Sequence, residues 1–195
     1  TGMADLFVSE YKEEIRYNRA IGWLVWNGKQ WEPNELKAQL RYTEFIKKVL
    51  EYAKKAVRDA YANLGEDAMG SSASKANKDN EQAVKEALGF YKYVNKMCDY
   101  SKITAVLNCA KSKLEIDISE LDANAFELNT PGGIIDLKTG ITYAHRPDAF
   151  CTKMTKATPS GEGDMLWQEC LDSATQGDAE FKEYLQYVAG GMVIG

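Results

Sequence analysis

The stretch IGWLVWNGKQWEPN, residues 21–34, carries both kinds of element from which the fold is built. Trp23, Val25 and Trp31 flank Asn27-Gly28, and that dipeptide between apolar residues is the strongest short-range hairpin signal, because both residues tolerate positive φ. Pro33 cannot donate to a ladder and ends the second strand, and Asn34 stands where a helix cap is needed. Over residues 35–64 the apolar positions Leu36, Leu40, Ile46, Val49, Leu50, Ala53, Val57, Tyr61 and Leu64 keep mostly to helical spacing, with lysines and glutamates on the outer face. Gly65 is placed to end this long helix. A hairpin feeding a long amphipathic helix predicts an α+β chain, mostly helical, with two or three small β-hairpins or short antiparallel strands.

Beyond that helix, residues 65–80 lack aromatic and branched aliphatic side chains. Such a segment buries too little to offset its ordering entropy and reads as a mobile loop. A second helix is expected from about Glu81 to Cys98 through Val84, Ala87, Leu88, Tyr91 and Val94, and a third, capped by Ser101, through Ile103, Val106, Leu107 and Ala110. The stretch LEIDISELDANAFELN then turns extended or irregular. In GGIIDLKTGITYAHRP, residues 132–147, Ile134, Ile135 and Leu137 form one strand, Lys-Thr-Gly the turn and Ile141 to Tyr143 the other, with Gly140 suited to the left-handed position of a bulged loop. CTKMT, residues 151–155, is a candidate further strand. Asp164 and Asp178 read as caps of two closing helices separated by Gly177. The expected organisation is therefore 1–64, hairpin plus long helix; 65–80, flexible loop; and 81–195, helices, hairpin and two closing helices, together one domain.

Composition narrows the class. No apolar run approaches the roughly 18 residues that span a bilayer, and Asp5, Glu10, Glu13 and Glu14 interrupt any secretory signal. A soluble cytoplasmic protein is the expectation, and the Thr-Gly ahead of Met3 reads as an added remnant. Cys98, Cys109, Cys151 and Cys170 are widely spaced with no Cys-x-x-Cys pair, so free, mostly buried thiols are expected and a zinc site is not. The net charge is −5, yet residues 37–58 carry seven basic side chains against Glu44 and Glu51, and residues 85–113 carry six lysines against Glu86 and Asp99. What decides nucleic-acid binding is local charge on one face, so a net acidic chain does not exclude it.

Signals for chemistry are few. His145 is the sole histidine, which leaves no obvious base for a nucleophilic triad, and its simplest role is local packing or capping. Neither a Walker A loop nor a Gly-x-Ser-x-Gly, His-Glu-x-x-His or Gly-x-Gly-x-x-Gly motif occurs. Glu115, Asp117, Glu120 and Asp122 are the best metal-site candidates, since carboxylates spaced by two on a strand would share a face and could hold Mg²⁺, although solvated acidic loops are common. Lys92, Lys96 and Lys102 alternate with Tyr91, Tyr93 and Tyr100, a pattern that pairs phosphate contacts with base stacking, although helical tyrosines also serve cores. No catalytic residue is assigned.

Four stretches occur together in an order that carries a resemblance. They are GWLVWNGKQWEPN, the helical middle ending near Asp122, FELNTPGGIIDLKTGITYAHRPDAFCTKMT, and LWQECLDSATQGDAEFKEYLQYVAGGMVIG. The third resembles a Leu-Asn…Asn-Gly-x-x-Asp-Leu-x-Thr-Gly…His-x-Pro…Thr-Lys segment, and the fourth a Trp-x-x-Phe-Leu…Gly-Asp…Tyr-Leu-Gln close. Both belong to phage- and plasmid-type primase–helicases, relatives of the poxvirus primase–helicase, in the region just before the superfamily 3 ATPase core. Pro131, Gly132 and Gly133 stand where that family often has Asn-Gly, and GGMVIG lacks its usual aromatic.

The resemblance implies DNA replication in a bacterial host cell by a protein that unwinds DNA with ATP and Mg²⁺, with this segment a non-catalytic collar or linker ahead of the motor. It implies DNA as partner and self-association into a ring in the intact protein. Lys92, Lys96, Lys102 and Lys111 are then the candidate DNA-binding residues. Two alternatives remain open at this point: a Mg²⁺-dependent primase- or nuclease-like enzyme using Glu115, Asp117 and Asp122, and a pure protein-interaction domain.

Overall fold

The computed structural model describes residues 2–67, 73–160 and 162–194, with the backbone alone at 65–67 and 73–77. Among the described residues it contains six α-helices and two three-stranded antiparallel sheets, an α+β chain that is mostly helical. By contact it divides into two compact units, Thr1–Val25 with Pro33–Glu115, and Trp26–Glu32 with Ile116–Gly195. No helix among the described residues is long and apolar enough to cross a membrane.

The first unit opens with α1, Gly2–Tyr11, which sequence reading had not anticipated. Its Met3, Phe7 and Tyr11 recur every four residues and are all buried, so the helix is held by its inward stripe. Strands β1, Ile15–Asn18, and β2, Gly22–Trp26, pair with Ile15 opposite Val25 and Asn18 opposite Gly22. The Asn18 side chain closes their turn by accepting from the amides of Ala20 and Ile21 at 2.9 and 3.1 Å. β3, Trp31–Pro33, completes the sheet.

α2, Glu35–Asp67, begins as expected, with Asn34 Oδ1 accepting from the Lys37 amide at 2.9 Å. It does not stop at Gly65, and α3, Ala73–Lys96, starts well before Glu81. The expected loop at 65–80 is thus helical backbone at both ends, while residues 68–72 lie outside the described residues. α4, Tyr100–Lys111, is capped at Asp99 rather than Ser101. Ala38, Tyr42, Phe45, Ile46 and Ala53 of α2 bury against Val94 of α3, Leu107 and Ala110 of α4, and the α1 stripe. Phe7 sits at the aromatic centre, its ring 5.2, 5.4 and 5.5 Å from those of Tyr11, Tyr42 and Phe45. Each such pair adds about 0.5–1.5 kcal/mol beyond its burial.

The second unit is completed by chain from far upstream. The loop Asn27–Gln30 is longer than a two-residue turn. Gly28 takes φ +96, while Asn27 acts through its side chain, accepting from the amides of Lys29 and Gln30 at 2.9 Å. Trp31 is fully buried, donates its amide to Cys151 O and its indole Nε1 to Pro147 O, both at 2.8 Å, and stacks on Phe150 at 6.0 Å.

Beneath it lies the second sheet. β4 is Glu127–Thr130, β5 is Gly133–Asp136 and β6 is Thr142–Tyr143, all antiparallel. The 136–140 loop closes as read, with Gly140 at φ +73 and its amide donating to Asp136 O at 2.7 Å. Residues 151–155 form no strand, because their backbone bonds go to Trp31, Asp122 and Asn129 rather than to a ladder. α5, Asp164–Thr175, is preceded by Gly163, so Asp164 lies in its first turn instead of capping it. α6, Ala179–Val193, is capped by Asp178, whose side chain accepts from the Phe181 amide at 3.0 Å.

Two measurements test this account. A Cβ on Gly133, at φ +144, would sit 2.4 Å from Tyr143 O, whereas one on Gly140 would meet nothing. Denaturant melts should therefore show Gly133→Ala losing more than about 2 kcal/mol and Gly140→Ala only about 1 kcal/mol. Comparable losses would contradict the β5–β6 packing. Separately, burial pushes the Tyr42 hydroxyl up to about 12, and that hydroxyl has no hydrogen-bond partner among the described residues. The unfolded chain then releases its proton first, so stability falls as pH rises above about 10, approaching about 1.4 kcal/mol per pH unit until about 12. Tyr42→Phe should flatten that decline while leaving neutral-pH stability equal or up to about 1 kcal/mol higher.

Candidate nucleic-acid interface

The four candidate lysines do not all converge. Lys92 and Lys96 lie four residues apart on α3 and are both exposed. Lys102 and Lys111 of α4 are nine residues apart, about 180° around a helix, and both are half-buried. Lys111 is further engaged, its Nζ lying 4.9 Å from the centroid of the Tyr17 ring. Tyr91 is half-buried against the core, while Tyr93 and Tyr100 are 46% and 73% exposed.

What sequence reading missed is that the α3 surface extends further. With α3 helical from Ala73, Lys78 and Lys85 join Lys92 and Lys96. At 100° per residue the four lie within about 40° of one another along about 27 Å of helix. All four are exposed, and none has an ion-pair partner among the described residues. The inward positions Val84, Leu88, Tyr91 and Val94 force this, because a helix that buries one stripe must show the opposite one. The signal in the sequence was the seven-residue recurrence of lysine, hidden by treating residues 65–80 as a loop.

Several other basic residues are engaged locally, while Lys47, Lys55 and Arg58 of α2 are exposed. Arg41 pairs with Glu14 and Glu44 at 3.1 and 3.0 Å, Lys48 with Glu10 at 3.1 Å, Lys54 with Glu51 at 2.7 Å, and Lys113 with Asp5 at 2.9 Å. These contacts hold Asp5 and Glu51 below the usual carboxylate range.

The carboxylates proposed for Mg²⁺ are each occupied by the fold. Glu115 pairs with Arg19. Asp117 accepts from the Ser119 amide at 2.9 Å, which keeps it ionised below its ordinary range, and Glu120 returns to the Asp117 amide at 3.0 Å to form a capping box. Asp122 takes a left-handed backbone at φ 52, donates its amide to Phe150 O at 3.2 Å and accepts from the Thr152 amide at 2.7 Å and from its hydroxyl. Among the described residues no group of three or more His, Cys, Asp or Glu is arranged to hold a metal. Of the cysteines, Cys151 alone is buried and the other three are exposed, against the expectation of mostly buried thiols. Cys109 and Cys170 lie on outward positions of α4 and α5, and Cys98 lies in the turn between α3 and α4.

His145 packs locally, its Nε2 donating to Thr130 O at 2.8 Å, and the neighbouring Arg146 pairs with Glu127 at 2.7 Å. Asn129 donates its amide group to both Lys29 O and Lys153 O at 3.0 Å. Asp136 accepts from the Lys138 amide at 2.8 Å, and Thr139 Oγ1 accepts from the Ile141 amide at 3.3 Å. The residues that carry the resemblance are therefore clips and turn formers.

The family described as D5 N terminal like matches residues 4–176. The chain belongs to that family. It is an N-terminal domain of the D5 type of primase–helicase, in agreement with the four stretches read from the sequence. The match spans the α3 lysines and the Asn129–His145 clips and ends before α6. No curated protein matches the chain.

The D5-type motif asparagine offers a direct check. Asn129→Asp would turn a doubly donating amide toward two carbonyls as a carboxylate, and should lower stability by about 2 kcal/mol more than Asn129→Ala at neutral pH. Equal melts for the two variants would contradict the clip.

Proposed function

We propose that this domain serves its primase–helicase by holding DNA through the α3 lysine face, beside an ATP- and Mg²⁺-driven motor elsewhere in the protein, and that it also contributes to subunit association. The observation that carries the DNA reading is the row Lys78, Lys85, Lys92 and Lys96, exposed on one face of α3 and without ion pairs among the described residues. Lysine ammonium groups act as point charges on a phosphate backbone and read no sequence, which suits a protein that must travel along DNA. Tyr93, at the flank of the row, adds a ring on which an unpaired base can stack.

Lys102 and Lys111 belong to this reading only as more distant contributors of field. Replication in a bacterial cytoplasm remains part of the proposal, supported by the family alone.

The test is equilibrium binding of oligonucleotides across a salt series. If all four lysines neutralise phosphates, log affinity should fall against log salt with a slope of about −2.8 for single strands and about −3.6 for duplex. Lys92→Gln and Lys96→Gln should each reduce the slope by about 0.7–0.9, equally for every sequence tried. Tyr93→Ala should weaken single strands about tenfold and duplex much less. Binding that stays undetectable at low salt, or a slope untouched by the double lysine variant, would remove DNA contact and leave the protein-interaction reading.

A further inference from the structure

α6 presents a second surface, opposite in charge to the first. Its half-buried positions Lys182, Leu185, Val188 and Ala189 turn inward, which brings Glu180, Glu183, Tyr184 and Tyr187 outward together. Tyr184 and Tyr187 are 60% and 73% exposed. Neither glutamate has an ion-pair partner among the described residues, and Lys182, the sole basic residue of α5 and α6, is taken by Asp172 at 2.6 Å. Beyond Tyr187 the helix carries Gly190 and Gly191, which leave room for a cavity of about 730 Å³ walled by Leu137, Tyr187, Val193 and Ile194, with Glu183 at its edge.

A groove of this kind suits an aromatic side chain flanked by cations. The chain offers that combination on α3, where Tyr93 flanks the pair Lys92 and Lys96. We infer that the α6 groove of one copy receives the Lys92–Tyr93–Lys96 face of α3 from a second copy, the ring entering beside Tyr187 and the ammonium groups meeting Glu180 and Glu183. This rests on the proposed reading of the α3 face as an open anion-binding surface, and it gives that surface a protein occupant that competes with DNA. The contact joins two different patches, so each pair of copies leaves one patch of each kind free and association continues past the dimer.

Sedimentation of the whole chain at low and high salt tests this. Concentration-dependent association should appear at low salt and fade at high salt. Glu180→Lys combined with Glu183→Lys should weaken it on the order of 100-fold, as should Lys92→Glu combined with Lys96→Glu. Mixing the two reversed variants should restore one complex that neither forms alone. Tyr187→Ala, an exposed and uncharged change, should weaken association while circular dichroism stays unchanged. A chain monomeric under every condition, association indifferent to reversal of α6, or association lost on reversing α6 but kept on reversing α3 would each overturn the inference. Added oligonucleotide should disperse the assembly. If the chain assembles and responds to both reversals, yet oligonucleotide neither binds nor disperses it, the DNA reading falls and the copy–copy contact stands.

Discussion

The second unit depends on a single buried side chain delivered from outside its own segment. Trp31 lies about a hundred positions ahead of the residues it binds, and its two donors are accepted by Cys151 O and Pro147 O. The ring also holds Phe150, a bulky residue in left-handed backbone at φ 47. Strain of that kind costs about 1–3 kcal/mol and persists only when the surroundings over-determine it. Trp31 supplies the stacking face, and Asp122 brackets the turn from the other side. Asn129 then ties the Lys29 and Lys153 carbonyls together. The β2–β3 hairpin is a local element, whereas the bonds that Trp31 makes from it are non-local, with the larger loop-closure cost that such contacts carry.

Local signals were the legible ones. Asn34 and Asp178 as caps, the 136–140 loop and the amphipathic core of α2 follow from residues within a few positions of each other. α1 was not legible, because a ten-residue helix gains its stability from Phe7 and Tyr11 packing on Tyr42 and Phe45, which periodicity does not weigh. The helical ends of the 65–80 segment were misread for a related reason. Lack of apolar side chains argues against a core, but helix propagates past its last buried residue wherever propensity permits. Residues 151–155 looked strand-like by composition, yet strand character needs a neighbouring edge, and theirs is answered by Trp31, Asp122 and Asn129.

The candidate site was half legible for geometric reasons. Lys92 and Lys96 were found by their nearness in sequence, and Lys102 and Lys111 were added because they lie in the same basic segment. Charge density along the chain is a poor guide to charge density on a face, since α4 sends those two to opposite sides. The residues that carry the resemblance are likewise silent about binding. Asn129, Gly133, Asp136, Thr139 and His145 each satisfy a backbone group or a steric limit of the second unit. Those residues thus serve the scaffold of the second unit, and any contact with partners has to be sought on other faces.

The spacing on α3 shows how such a face is compatible with stability. Lys78, Lys85 and Lys92 recur every seven residues, about 10 Å of helix, which equals the screening length at about 0.1 M salt. Their mutual repulsion is therefore small, and only Lys92 and Lys96, one turn apart, oppose each other by a few tenths of a kcal/mol. Pairing them with carboxylates, as Lys54 is paired with Glu51, would return about 0–1 kcal/mol of stability for each exposed pair. A polyanion meets the same row differently. Its charges lie closer together than the lysines do, so each ammonium finds a phosphate and the condensed counterions are released together. A carboxylate pair on a neighbouring copy gains less per charge but adds a ring and a groove. If both proposed occupants bind, salt and the concentration of each set which prevails, because both draw on Lys92 and Lys96.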